Sequence, residues 1–480
     1  MAVAGSVLLC IGTGFLLVGL GFGRAARPSN LLLRVSLSIG FGVAVFSVAY
    51  FLARVFGFIH LWLVDSVIFT VLLVILVRWR ANRGLAAPWS NHNRAGVTSR
   101  FLQAAFVLAL ATALYSAIAR ALGHPYGSGW DSFAIWNLHA RFLYRGGVHW
   151  QEGFSALIPW SHPDYPLLLP AAIAHLWTIA GHETPAVPAV IGLVFTFSTV
   201  ALLFSGLDLL AGRTSALLGA LALLCSPFFI ELGTWQYADV PLSFFFLATL
   251  VLFHLADHST GHDDRISRGM LALGGLAASC AAWTKNEGIP FLCAILLTRV
   301  FVSSRQRSFG TGPEPNRRSH VLPVLWGLLP IFLVLVFFKR FVAPPGDLFS
   351  DAATMLHRLA DPSRYWVVLK WYGKELLRFG HWLLIPLPVL MSLFYFLTRK
   401  RVPFPETADV RASAWALTLT IGAYFFIYLI TPYDIYWHLR FSLARLFIQV
   451  WPSATFLFFL RIGPQISEQS PGNHECTIRV

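Results

Sequence analysis

The run Asp164-Tyr165-Pro166-Leu167-Leu168-Leu169-Pro170 opens an apolar stretch that closes near Ala180-Gly181, and whether it crosses a bilayer decides where every later loop lies. Asp164 before the run reads as a helix cap and Pro166 as a first-turn proline. The segment is short for a bilayer and carries His175, so we read it as a helix lying at the external surface. The downstream charges agree. If it does not cross, then Arg213, the Arg265/Arg268 loop, the Arg305/Arg307/Arg317/Arg318 loop and Arg399-Lys400-Arg401 all fall inside, where short basic loops are favoured; if it crosses, all four fall outside.

Working outward, the composition is 56% hydrophobic, 15% aromatic and only 12% charged, which excludes an ordinary soluble domain and makes this an integral membrane protein. Apolar runs recur at about 3–22, 31–52, 59–77, 101–120, 186–208, 215–231, 240–256, 270–284, 288–302, 321–341, 381–398, 412–431 and 446–461. These predict an all-α polytopic fold of roughly thirteen spans, with further helices lying at the external membrane surface. Arg78, Arg80, Arg83, Arg94 and Arg100 form the strongest basic cluster of the N-terminal part, which places that loop in the cytoplasm and the N-terminus outside. The net charge of +14 resides in short loops between spans, where orientation and anionic lipid account for it, so no nucleic-acid partner is expected. The five cysteines show no CxxC or Cys/His ligand spacing, so neither a disulfide framework nor structural zinc is implied. The organisation expected is an N-terminal three-helix extension over 1–100, a catalytic membrane domain over 101–461 and a cytoplasmic tail over 462–480, without internal repeats.

Upstream of Asp164, the first large external loop holds Trp130-Asp131-Ser132-Phe133-Ala134-Ile135-Trp136-Asn137, continuing to Gly146-Gly147. Phe133, Trp136, Ala140 and Leu143 fall three or four apart, with Asn137, Arg141 and Arg145 on another side: the pattern of an amphipathic helix lying along the membrane surface. Asp131 at its start is either an N-cap or a catalytic carboxylate held at the boundary between lipid and water.

With this topology one face collects Asp131, His162, Asp164, Asp239, Lys285, Glu287, Asp434, His438, Arg440 and Arg445. Ionisable residues near membrane depth are costly and tend to line functional cavities. Each has a plainer alternative: Asp239 as a cap for the span opening at Pro241, Lys285 and Glu287 as a turn in the headgroups, Arg445 as a snorkelling anchor, His162 as a loop histidine. The segment 343–380 adds aromatic residues and the stripe Lys370, Lys374 and Arg378, which would also suit a helix resting on lipid phosphates.

Together these stretches resemble the GT-C superfamily of membrane glycosyltransferases, specifically its polyprenyl-phosphate-sugar-dependent members similar to protein O-mannosyltransferases (glycosyltransferase family 39-like) and lipid A aminoarabinose transferases. The likeness covers about 101–461 and rests on Trp130-Asp131, His162-Pro163-Asp164-Tyr165-Pro166-Leu167, Tyr237-Ala238-Asp239-Val240-Pro241, Thr284-Lys285-Asn286-Glu287-Gly288, and Arg445 with Pro452. Many relatives carry two adjacent acids where this chain has Asp131-Ser132, and His-Pro-Pro-Leu where it has His162-Pro163-Asp164-Tyr165; the three spans before residue 101 are additional.

The resemblance implies transfer of a sugar, with inversion, from a polyprenyl-phosphate carrier to a hydroxyl of a glycan, lipid or protein. It implies an active site facing the periplasm or exterior of a bacterial inner membrane. Asp131 is the candidate base and Asp239 a second catalytic acid that would orient the cations or bind sugar hydroxyls. Lys285 and Arg445 would stabilise the departing phosphate. Glu287, His162, Asp164 and His438 complete the polar lining, and Trp130, Trp136 and Tyr165 offer flat surfaces to the sugar or the prenyl chain. No cofactor is expected, although Asp131 with Asp239 could hold a divalent metal. The rival class is a polytopic transporter of a lipid-linked or small polar substrate, which would place charges near the bilayer midplane; Asp65, inside the third span, is the one charge that hints at it.

Overall fold

The computed structural model describes residues 2–22, 28–58, 60–81, 100–259, 264–305, 317–346, 348, 352–381, 391–392 and 408–462. Their regular elements are all helices, as expected where hydrocarbon cannot satisfy backbone N–H and C=O groups and each segment must pair its own. The chain opens with α1 (Ala2–Gly21), α2 (Pro28–Phe56), α3 (Leu61–Ala81) and α4 (Arg100–Gly123), followed by two short helices, α5 (Asn137–Arg145) and α6 (Leu168–Ala180). After α7 (Ala186–Leu210), α8 (Arg213–Leu224) and α9 (Pro227–Thr234) form one path bent by 63°. There follow α10 (Asp239–Ser259), α11 (Asp264–Thr284), α12 (Gly288–Arg305) and α13 (Arg317–Phe341). The short α14 (Ala352–Leu359) and α15 (Pro362–Arg378) then lead to α16 (Ala408–Ile430) and α17 (Ile435–Ile462).

Among the described residues nine helices are long and apolar enough to cross a membrane, or ten paths if the bent pair counts as one. The expected spans at 270–284 and 288–302 are also helical, but α11 begins with charged residues and α12 is apolar only over Gly288–Phe301. The one expected at 381–398 falls almost wholly outside the described residues, as do Arg307, Arg399-Lys400-Arg401 and the tail beyond 462. The last span starts earlier than its hydropathy suggests: α17 begins at Ile435, ten residues before Arg445.

α6 does not cross. At 13 residues it is about 20 Å long, against about 30 Å of hydrocarbon. A second argument is one of parity. α7 runs away from the Asp131 face and the bent α8–α9 path returns to it, since Asp131 and Asp239 share one arginine; α6 must then begin and end on one side. It lies across the end of α2, where Ser47 donates to Leu167 O (3.2 Å) while Tyr50, one turn on, reaches Thr178 near the far end of α6 (3.1 Å). Its His175 pairs with Asp65 of α3 at 2.9 Å, so the intramembrane acid is a tie between helices.

Three local expectations are corrected. Asp164 does not cap α6, whose N-cap is Leu167 without a side-chain cap bond, and Pro166 precedes the helix. Asp131 makes no cap bond either; residues 132–136 form a π-helical turn before α5. Finally, the apolar side of α5 faces protein rather than lipid, for Trp136, Ala140 and Leu143 are fully buried and α5 packs against α6.

α10 is the central pillar. Every residue from Asp239 to Ala256 is buried, and a helix apolar all round belongs inside a bundle. α2 is also integral, since Trp283 of α11 donates to its Ser47 (3.1 Å) and Tyr50 donates to Leu143 O (3.1 Å). Arg78, Arg100, Arg213, Arg265, Arg268 and Arg305 all sit at helix ends opposite Asp131, as the basic-loop argument anticipates.

Candidate active site

Four sequence-distant segments converge where α10 starts. Asp239 is its first residue and fully buried; Lys285 follows the last residue of α11; Arg445 and Gln449 lie one turn apart on α17; Asp131 precedes the π turn. Lys285 Nζ donates to Asp239 Oδ1 (3.0 Å) and pairs with Glu287 Oε1 (2.7 Å). Gln449 Nε2 donates to the same Oδ1 at 2.6 Å, and its carbonyl accepts from the Tyr424 hydroxyl at 2.8 Å. Arg445 bridges the two acids: Nε donates to Asp239 Oδ2 (3.1 Å) and Nη2 to Asp131 Oδ2 (2.6 Å).

The guanidinium of Arg445 also lies over the Tyr237 ring, its carbon 4.6 Å from the ring centroid. The Tyr237 hydroxyl accepts the Asp131 N–H at 3.3 Å. This approach requires Gly129, because a Cβ there would sit 2.0 Å from the hydroxyl oxygen. Burial, reinforced by Asp131, pushes the Tyr237 phenol up, so it stays protonated. For Lys285 burial alone would lower the pKa, but the Asp239 and Glu287 carboxylates outweigh it and hold the ammonium above its ordinary range. Carboxylates buried here without these cations would each be destabilising by several kcal/mol, roughly.

A second polar layer adjoins the first through the 284–288 turn. Asn286 Nδ2 donates to Asp164 Oδ2 (2.7 Å), and Lys339 at the end of α13 donates to Asn286 Oδ1 (2.7 Å) and to Asp164 O. Tyr165 stacks on Trp136 (5.6 Å between centroids, 26° between planes) and on His162 (4.8 Å, 16°), and Lys285 Nζ lies 5.9 Å from its ring centroid. Burial first, then Glu287, Asp164 and Asp131, raise the Tyr165 phenol well above its usual value.

The predicted residues therefore divide. Asp131, Asp239, Lys285, Glu287 and Arg445 form one connected cluster; Asp164, His162 and Tyr165 stand beside it. The burial of Lys285, 3% exposed, corrects the headgroup alternative, and the two carboxylates on Arg445 correct the lipid-anchor one. Trp136 is fully buried under Tyr165 and supports that ring instead of presenting a face of its own, whereas Trp130 is 58% exposed beside Phe133. His438 is two turns before Arg445 and bonds Thr431 Oγ1 at 2.8 Å, outside the cluster. Tyr237, Asn286, Lys339 and Gln449 were not anticipated. Gln449 lies one turn after Arg445 on the same helical face, but as a neutral residue in an apolar run it carries no signal of its own.

Between α15 and the first turns of α17 lies a groove of about 640 Å³, whose Lys374, Arg378 and Arg440 are set among Trp371, Tyr436 and Trp437. The basic stripe of α15 is thus split: Lys374 and Arg378 face this groove and Lys370 does not line it. Among the described residues no group of three or more His, Cys, Asp or Glu side chains is arranged to hold a metal ion.

Residues 162–336 match the family of dolichyl-phosphate-mannose-protein mannosyltransferases. The match, over about a third of the chain, supports a GT-C type of glycosyltransferase family. No curated protein and no solved structure gives a match. The matched segment includes His162, Asp164, Tyr165, Asp239, Lys285 and Glu287, while Asp131 and Arg445 lie outside it and join through the geometry. The match supports a membrane glycosyltransferase over a transporter.

Proposed function

We propose that the protein transfers a sugar from a polyprenyl-phosphate carrier to an acceptor hydroxyl, with inversion, on the external or periplasmic face of a bacterial inner membrane. The observation that carries this reading is Arg445 shared between Asp131 and Asp239. A guanidinium held by two carboxylates has a ready exchange: an arriving donor phosphate takes Arg445 by charge-assisted hydrogen bonds and frees Asp131. Asp131 is suited to this. Its Oδ2 is held by Arg445, its side chain is 18% exposed, and Asp239, fully buried, keeps the arginine in place.

In the reaction the acceptor oxygen attacks the anomeric carbon from the face opposite the phosphate. Its proton passes to Asp131, the carbon–oxygen bond to the carrier breaks, and the electron pair leaves on the phosphate beside Arg445 and Lys285. Tyr165 and Trp130 supply surfaces for the sugar, and Asp164, His162 and Glu287 bind hydroxyls. The acceptor is a glycan, lipid or protein hydroxyl. The basic helix ends opposite the site favour the cytoplasm, which supports an external site.

The proposed chemistry needs no metal, because the pair of acids that could share one already shares a guanidinium; unchanged transfer in the presence of a chelator is the expected result. The decisive experiment uses purified protein in proteoliposomes with a radiolabelled polyprenyl-phosphate sugar, mannose first. Asp131→Asn keeps the side-chain size and should lower transfer by about 10²–10⁴-fold with the thermal transition nearly unmoved. Undiminished transfer sinks the role of Asp131, and uptake of label without transfer would return the transporter.

A further inference from the structure

Away from the Asp239 cluster, α5, the turn after α6 and the segment leading to Tyr237 enclose a second cavity of about 300 Å³, lined among others by Tyr126, Asn137, Arg141, Trp177, Glu183 and Gln236. Nothing in the proposed transfer uses it. Asn137 is 3% exposed; its Nδ2 donates to Gln236 Oε1 at 2.9 Å, while its Oδ1 is buried without a hydrogen-bond partner among the described residues. A buried amide oxygen left without a partner beside a cavity is costly, and a hydroxyl reaching it after a small side-chain shift would offset that cost.

Gln236 is held on both sides. Its Nε2 donates to Pro125 O at 2.8 Å, and its backbone takes the left-handed conformation (φ 63°) that residues other than glycine adopt at a cost. Trp177 is fixed in the wall by donating its indole N–H to Thr184 O at 2.8 Å. Arg141 and Arg145 both pair with Glu183, so both cations of the lining are engaged by a carboxylate and one positive charge is left over.

The chemistry selects among ligands. A phosphate would want cations not already committed to a carboxylate, and an acyl chain would leave the amides unpaired. Aromatic surface with alternating donors and acceptors, its arginines already held by a carboxylate, suits a pyranose ring, which has apolar C–H faces and a rim of hydroxyls. The volume is at the small end for ligand pockets, of the order of 300 Å³. Its position is also informative: Asn137 is six residues beyond Asp131, roughly 9 Å along a helix, and Gln236 adjoins the Tyr237 that contacts Asp131.

We propose that this cavity is a subsite for a sugar ring of the acceptor, one unit removed from the hydroxyl that is glycosylated, so that the acceptor is a glycan of at least two units. Its role as an acceptor subsite rests on the transferase reading above, but ring binding does not require it. The test is saturation-transfer NMR on the purified full chain in detergent with methyl α-mannopyranoside, methyl β-galactopyranoside and N-acetylglucosamine, and with sorbitol as an open-chain polyol. At least one pyranoside should give a signal well above that of sorbitol, and the signal should fall about fivefold or more in both Asn137→Ala and Tyr126→Ala. Tyr126 is 62% exposed, so its truncation spares the fold and decides the matter if Asn137→Ala does not fold. No pyranoside signal in the wild type, or an unchanged signal in Tyr126→Ala, overturns the subsite. In a parallel transfer assay, disaccharide acceptors should saturate at lower concentration than monosaccharides and lose that advantage in Tyr126→Ala; equal saturation in the wild type overturns the acceptor role. A cavity that binds rings in a protein transferring from no donor would instead sink the transferase reading and leave ring binding standing.

Discussion

The two ends of α10 both bury a carboxylate, and they do so differently. At the far end Asp257 meets Arg299 of α12 at 2.8 Å, the guanidinium lies 4.1 Å over the Phe253 ring, and His254 bonds Ser413 of α16 at 3.1 Å. Those contacts tie α10 to α12 and α16. At the near end Asp239 draws in Lys285, Arg445 and Gln449, and through Arg445 a further acid, Asp131, which is 314 residues from its partner in sequence. Pinning helices together needs one buried pair; it does not need two acids competing for one guanidinium within reach of solvent. That surplus of shared partners distinguishes a site from a tie.

The largest expected effect comes from removing the acid at each end. Asp239→Ala and Asp257→Ala should each destabilise the protein by about 3–5 kcal/mol, because each leaves a buried cation without its partner. Transfer per folded molecule should fall at least about 100-fold in Asp239→Ala and remain near wild type in Asp257→Ala. Thermal transitions measured beside transfer from a polyprenyl-phosphate sugar separate the two quantities. Equal losses of transfer at both ends would erase the distinction.

A finer contrast swaps the cation without deleting its charge. Arg445→Lys keeps +1 but cannot span Asp131 and Asp239 as the planar fork does, so transfer should drop by about 10–100-fold. At the far end Arg299→Lys should cost about 1 kcal/mol of stability, read as a lower thermal midpoint, with transfer unchanged. If Arg445→Lys transfers as well as wild type, Arg445 acts as a point charge and the exchange between Asp131 and phosphate is wrong.

What was legible beforehand follows the same division. Asp131, Asp239, Lys285 and Arg445 stand out in sequence because a charge at the end of an apolar run is expensive and therefore conspicuous. That α6 stays on one side was also legible, from its length and from where it sends the downstream arginines. Gln449 was not, being neutral inside an apolar helix, and neither was Lys339, since a lysine ending a span reads as an ordinary membrane anchor. Periodicity found the aromatic side of α5 but could not say that its partner is α6 rather than lipid, which is why Trp136 was expected to meet substrate. The caps expected at Asp131 and Asp164 failed for one reason: a nearby cation or amide offers a carboxylate more than a helix N-terminus does, and only tertiary structure brings Arg445 or Asn286 there.

A change of pH, with no loss of transfer expected, tests whether the near end is also where the fold responds to protons. His139 of α5 is fully buried against Phe154 (5.1 Å between ring centroids), with Nε2 3.4 Å from Ser161 Oγ and Nδ1 unpartnered among the described residues. Burial, and then the neighbouring His162, depress its pKa to about 3, with Asp164 opposing. The folded protein thus keeps this ring neutral while the unfolded chain protonates it below about 6.5. The unfolded state binds the extra proton between those values, so stability rises with pH there and is lost as pH falls below about 6.5, by about 2 kcal/mol between pH 7 and pH 5. His139→Gln should be less stable than wild type at pH 7, yet its thermal midpoint should change less between pH 7 and pH 5. A wild-type midpoint that depends on pH no more than that of the variant would mean that the ring is protonated in the folded state, and that the 161–164 loop carrying His162 and Asp164 is open to solvent in a way the packing around Phe154 does not allow.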